Sequence, residues 1–194
     1  SDYCVNDCDY CNFHLRNKDL KRRRLSLEEI EAEAGVLIAM GHKRILLEFG
    51  EDSGHNPIDY VVKAIERIYA VKTEKGNIRR INVNIASTTA ENYRRLKEAN
   101  IGTYQLFQET YHRQTYEKLH HGPKADYDRQ ITSHNRAFSG GLNDLGLGVL
   151  FGLYDWRFEV LALVSHAQYM DKKFGVGPHT ISVPRFRSGP TVTY

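Results

Sequence analysis

Apolar positions recur along this chain in two alternating rhythms. After Ser26, which stands three residues ahead of Glu29 in the spacing of a capping box, Ile30, Ala34, Leu37 and Ile38 repeat at helical intervals and Gly41 closes the run. Residues 42–50 (HKRILLEFG) then predict a short, mostly buried strand, with the continuous Ile45-Leu46-Leu47 that parallel sheets tolerate. A second helix is expected from Asn56-Pro57, as cap and first helical position, with Ile58, Val62, Ile65 and Tyr69 along one face. The same unit repeats: strands over 80–87, 102–110, 145–152 and 178–185, and helices over 89–99, 126–139 and 156–174, with a loop around Gly122-Pro123.

Strands alternating with helices at this spacing call for parallel βα units, in either a doubly wound sheet or a (β/α) barrel. Five strands are counted where a closed barrel has eight. The polar residues cluster where such folds keep their chemistry, at the C-terminal ends of strands: Glu48 and Glu51, Asn84 and Ser87, Gln108 and Glu109, Ser182 and Arg185.

Composition narrows the classes. The chain has 194 residues and a net charge of +3, enough for one domain with a core and ordinary for a globular protein. Much of the excess charge lies in KDLKRRR, residues 18–24, which reads as a solvated loop or helix entrance rather than a nucleic-acid patch. No apolar stretch approaches the roughly 20 residues that cross a bilayer, and no signal peptide precedes the first cysteine. A cytoplasmic protein with no membrane or nucleic-acid partner is expected.

All three cysteines fall within SDYCVNDCDYCNFH, as Cys4, Cys8 and Cys11. An odd number this tightly spaced suits a metal better than disulfides, and implies a reducing compartment. Three thiolates would hold a 4Fe-4S cluster with one iron left for a ligand, which the aromatic Tyr10 and the following βα pattern favour. Zinc, with His14 completing a Cys3His set, is the alternative, and would make the chain an interaction module.

The pattern CxxxCxxC with an aromatic residue before its last cysteine resembles the signature of radical S-adenosylmethionine (SAM) enzymes. GHKRILLEFGE, NIGTYQLFQETYHRQTYEKLH, GLGVLFGLYDWRFEVL and FGVGPHTISVPR resemble that superfamily's tyrosine lyase branch, nearer its FeFe-hydrogenase maturases than its thiamine-pathway 2-iminoacetate synthases. The likeness runs to about Arg187, giving a radical SAM core over 1–187 and an unassigned tail over 188–194. It implies an α/β fold of the (β/α) TIM-type barrel class, incomplete here at about five βα units.

The resemblance also implies a site. Cys4, Cys8 and Cys11 would ligate a 4Fe-4S cluster, with Tyr10 beside it. Gly50 and Glu51 stand where the SAM amino group is held, with Phe49 replacing a small residue, while Ser87 and Glu109 match contacts to SAM's carboxylate and ribose. The family's carboxylate-pairing arginine falls on Gln130, and Arg129 stands one residue earlier, on the family's tryptophan. Arg185, with Ser182 and His179 on the same alternating face, is the implied holder of an amino-acid substrate.

The implied reaction breaks the Cα–Cβ bond of L-tyrosine to give p-cresol and dehydroglycine. An electron donor such as ferredoxin or flavodoxin and other hydrogenase maturases are the implied partners. The branch's second, C-terminal cluster has no cysteines here, so the chain is expected to perform at most the first half of the CO and cyanide synthesis, or to be inactive.

Overall fold

Helix α1 (Leu27–Ala39) starts where its cap dictates: Ser26 Oγ accepts the Glu29 N–H at 3.1 Å while the Glu29 carboxylate accepts the Ser26 N–H at 2.7 Å. In the computed structural model, which describes residues 1–194, β1 (Arg44–Glu48), α2 (Ile58–Ala70), β2 (Arg80–Asn84), α3 (Ala90–Glu98) and β3 (Tyr104–Glu109) follow in turn. Then come α4 (Arg113–Leu119), α5 (Tyr127–Ile131), α6 (Ser133–Ser139), β4 (Leu145–Val149), α7 (Trp156–Phe174) and β5 (Thr180–Ser182).

The strands form one sheet in the order β1-β2-β3-β4-β5, every neighbour parallel. Spatial order equal to chain order is the winding of a (β/α) barrel, whereas a doubly wound sheet reverses at a switch point. One sheet face carries Ile81, Val83, Tyr104, Leu106, Leu145 and Leu147 into a core shared with α2, α3, α6 and α7. The other face carries Asn82, Asn84, Gln105, Phe107, Gly148 and Ser182 and corresponds to a barrel interior.

Local detail departs from expectation in four places. Helix α2 begins at Ile58 with Pro57 as its uncapped N-cap, and buries Val61, Ala64, Ile65 and Ile68 rather than Val62 and Tyr69. The Asn56 amide instead donates to the carbonyls of Tyr3 and Gly50. Helix α4 occupies part of the expected loop, started by His112, and the expected helix over 126–139 is two short ones meeting at Thr132. Strand β5 is only three residues long, since Pro184 cannot donate to the ladder, although Phe151 still bridges Arg185 beyond it. Residues 191–194 fold back on the cysteine segment: Thr193 N–H donates to the Asp9 carbonyl at 3.0 Å.

Three imidazoles make this fold sensitive to acid. Burial holds His120 and His134 at pKa values of about 3, helped by Lys124 in one case and His166 in the other, and burial alone holds His166 at about 4. Unfolded, each titrates near 6.5, so below that pH the unfolded chain binds protons the folded one refuses. Stability is therefore full above pH 6.5 and falls from there toward pH 3, by about 1.4 kcal/mol per pH unit for each imidazole. Urea unfolding at pH 5 should show a loss on the order of 6 kcal/mol against pH 7.5. A flat profile between pH 5 and 7.5 would mean that these histidines open to water in the folded state.

Candidate functional site

The cysteine segment has no regular structure of its own and is held by its neighbours. Val5 N–H donates to the Glu51 carbonyl at 2.8 Å, Gly50 N–H to the Ser1 carbonyl at 2.9 Å, and Asp7 N–H to the His121 carbonyl at 3.1 Å. The segment thus spans the end of β1 and the loop after α4. Gly50 is needed because a Cβ there would collide with the Tyr3 carbonyl oxygen. The basic run ties the same segment down: Arg22 donates to the carbonyls of Asp2, Phe13 and His14, and Arg24 to that of His55. The run is the expected, largely exposed entrance to α1, with Arg22 and Arg24 strapping the segment in addition.

The three thiols are free of disulfides. Cys4 Sγ accepts from the Asn6 amide at 3.7 Å and Cys11 Sγ from the Phe13 N–H at 3.4 Å. Burial, with the neighbouring thiols adding to it, pushes Cys8 up to about 12, and burial raises Cys11. Buried Cys8 and half-buried Cys11, reluctant to ionise as free thiols, become good ligands once cationic iron supplies the missing charge. No three His, Cys, Asp or Glu side chains are placed to share a single metal ion. Thiols that each bind a different corner of a polynuclear cluster need not converge in that way. His14 is not available to complete a zinc set: one ring nitrogen faces the Asp7 carboxylate at 3.1 Å and the other the Thr191 carbonyl at 3.0 Å. His14→Gln should therefore leave the iron content of reconstituted protein unchanged while Cys8→Ser abolishes it; loss of metal in both variants would restore the zinc reading.

Beneath the thiols lies a cavity of about 550 Å³ lined by Cys4, Cys11, Gly50, Glu51, Glu109 and Lys124 among others. A smaller one of about 170 Å³ shares Gly50 and Glu51 and adds Asn56, Ser87 and Arg129. The expected site residues thus largely meet, brought there by the ends of three strands and by helix α5. Arg129 joins them: its guanidinium donates to the Glu51 carboxylate at 2.5 Å, to the Ser87 carbonyl, and to the Pro123 carbonyl at 3.1 Å. Gln130, at the position the resemblance gives to arginine, is buried and donates to the Phe107 carbonyl at 2.7 Å. Ser87 Oγ, also buried, donates to the Arg129 carbonyl and accepts from Arg136. The Phe49 ring packs edge-on against Tyr60.

Glu109 is set by backbone strain. It has φ of 67° where the β3–β4 register slips, and its carboxylate accepts from Lys124 Nζ at 2.7 Å. The next two residues are pinned by the fully buried Glu159 carboxylate, which accepts from Thr110 Oγ1 and from the Tyr111 N–H at 2.8 Å. Sequence reasoning misses Lys124, Asn56 and Glu159. The Lys124 signal is weak, a lysine after Gly-Pro; Glu159 reads as an ordinary helix carboxylate.

Four expected residues are placed differently. Tyr10 lines neither cavity; its hydroxyl donates to His120 Nε2 at 2.8 Å, the tautomer following because His120 Nδ1 donates to the Tyr116 carbonyl. Ser182 pairs with Gly148 on the interior face, and its even parity separates it from His179. His179 precedes β5, at the N-terminal end of the sheet beside Asp144, and Arg185 lies exposed after its other end. Six residues of extended chain put these two about 20 Å apart, too far to hold one amino acid.

The chemistry fits a zwitterionic ligand. Asn56 Oδ1 is a buried acceptor without a partner on the smaller cavity, Glu51 and Glu109 offer carboxylate lone pairs, and Arg129 and Lys124 offer cations.

Comparison with known proteins bears on the same site. Residues 1–163 match the radical SAM superfamily. A crystal structure of HydG, a maturase of the [FeFe]-hydrogenase, superimposes with a TM-score of 0.96 at 53% identity, over 98% of this chain and 42% of that one. HydG from Carboxydothermus hydrogenoformans gives 0.94 at 46%, over 100% and 44%. The 2-iminoacetate synthase of Salmonella typhimurium is 30% identical over 96% of this chain and 48% of its own length. The chain thus spans about half the length of the relatives it matches. None of its helices is long and apolar enough to cross a membrane.

Proposed function

The chain belongs to the radical SAM superfamily, whose enzymes use a 4Fe-4S cluster with S-adenosylmethionine, and from that membership we propose that it carries the tyrosine lyase site of a HydG-type maturase. The observation that supports this most is the three-thiol segment closing over a cavity whose wall is Gly50-Glu51, with Arg129 joining Glu51 to the end of β2 at Ser87. Cys4, Cys8 and Cys11 would hold the cluster. Glu51 and the orphaned Asn56 oxygen would accept from the SAM ammonium or amino groups, and Arg129, which pairs with Glu51, would supply a cation for its carboxylate. Glu109, fixed by Lys124, would take the ribose hydroxyls, for which an acceptor-only carboxylate is suited.

When bound, these cofactors would supply the radical chemistry that breaks the Cα–Cβ bond of L-tyrosine to give p-cresol and dehydroglycine. The protein's part is to orient the substrate and exclude water. Ser182, on the interior face, and Arg185, after β5, are the substrate-side residues; His179 is too far from Arg185 to share that role. A ferredoxin or flavodoxin would deliver the electron, and other hydrogenase maturases would receive the product. The maturase reading ranks above the thiamine-pathway one because identity is 46–53% against 30%.

The test is anaerobic reconstitution with iron and sulfide, EPR of the reduced protein with and without SAM, and then chromatography for p-cresol after adding tyrosine. A cluster signal shifted by SAM, with p-cresol formed, is the expected result. A cluster indifferent to SAM would overturn the assignment of Glu51, Asn56 and Arg129, and a SAM shift without p-cresol would overturn the substrate.

A further inference from the structure

The end of the sheet opposite the thiols carries a third cavity, a polar one of about 420 Å³, lined by eight residues of which four are Lys43, Arg44, Arg79 and Arg80 and none is acidic. Strand pairing makes the crowding unavoidable, because Arg44 lies opposite Arg80 in the β1–β2 register and the Arg79 N–H donates to the Lys43 carbonyl at 2.8 Å. Like charges directly opposite on neighbouring strands repel.

Compensation is partial. Arg80 pairs with Asp144 and also donates to Thr103 Oγ1 at 3.0 Å and Asn82 Oδ1 at 3.2 Å. Gly102 lets it lie there, since a Cβ would collide with its guanidine. Lys43 Nζ donates to the Lys75 carbonyl at 2.5 Å, which orients the ammonium without neutralising it. Arg44 and Arg79, both exposed, have no ion-pair partner; Arg80 is the one cation of the four in a salt bridge. Two free guanidinium groups and an anchored ammonium thus border one cavity with no carboxylate in its wall.

We propose that this rim binds an oxyanion of the phosphate class, gripped by Arg44 and Arg79 with Lys43 adding charge. Guanidinium forks match the paired oxygens of phosphate, and three uncompensated cations favour a dianion over a monocarboxylate. The five residues of β1 set the rim about 17 Å from the thiol end of the sheet, so the site is separate from the radical chemistry.

Titration calorimetry of the cluster-loaded protein with inorganic phosphate, and with acetate at matched ionic strength, tests this. Phosphate should bind at least tenfold more tightly than acetate, and the Arg44→Gln/Arg79→Gln double variant should weaken phosphate at least tenfold while keeping the SAM-shifted EPR signal. Arg79→Lys, which keeps the charge and loses the fork, should fall between. Equal binding of phosphate and acetate, or unchanged phosphate binding in the double variant, would overturn the site. Binding of a single-stranded oligonucleotide with none of free phosphate would overturn it in favour of a nucleic-acid surface.

Discussion

Lys124→Met should lower the thermal midpoint by about 10 °C, a larger effect than expected for a charge on an ordinary loop. Lys124 and Glu109 meet at 2.7 Å with side chains only 21% and 14% exposed. Burial by itself would lower the ammonium's pKa, but Glu109 and the Cys8 thiol outweigh it and hold the pKa above its ordinary value. Removing one partner of such a pair strands the other charge, at a cost of roughly 3 kcal/mol, and for a chain of this size each kcal/mol moves the midpoint by about 2–4 °C.

The sign of the pH dependence is a second check. A lysine with a raised folded pKa stabilises fully below its unfolded value near 10.5 and loses that contribution only as pH rises through the folded one, so the deficit should be constant from pH 6 to 9. Adding Glu109→Gln to Lys124→Met should recover part of the loss, because the stranded carboxylate is gone. A midpoint change under 3 °C, with no coupling between the two sites, would show that the pair is open to water.

How far the sequence reaches can be judged from single elements. Capping chemistry marks α1 to the residue, because the Ser26-Glu29 box is local. The parallel winding is legible because strand and helix periods alternate without a break, though only the order β1 to β5 distinguishes a barrel from a doubly wound sheet. Tertiary demands erase other signals. Asn56 before a proline has every mark of a cap, yet its amide joins the cysteine segment to β1. His179 and Arg185 share a parity that says they share a face, but alternation carries no information on which end of the sheet each occupies. Lys124 escapes notice because its partner lies 15 residues away, across a helix the sequence presents as loop. The basic run, read as a solvated loop before a helix, is largely exposed, but the sequence does not show that Arg22 and Arg24 also donate to carbonyls of the cysteine segment and of His55.

Arg129→Leu should remove the SAM-induced change in the EPR signal while leaving the cluster intact. The one-residue offset from the position the resemblance gives to arginine turns a side chain by about 100° on a helix. In this chain Gln130 lines the larger cavity with its amide donating to the Phe107 carbonyl, and Arg129 reaches Glu51 and Ser87 at the smaller one. A charge-assisted hydrogen bond contributes about 1.5–3 kcal/mol, so losing the guanidinium should weaken SAM roughly 10- to 100-fold. Arg129→Lys, keeping the charge without the fork, should lie between wild type and Arg129→Leu. Gln130→Arg in the Arg129→Leu background should not rescue binding, because position 130 is buried and its polar end is committed to a strand carbonyl. Equilibrium dialysis of SAM against cluster-loaded variants separates the cases. Undiminished SAM binding in Arg129→Leu would assign the guanidinium a purely structural role in joining β1 to β2, and rescue by Gln130→Arg would show that the helix can rotate to restore the pattern implied by the resemblance.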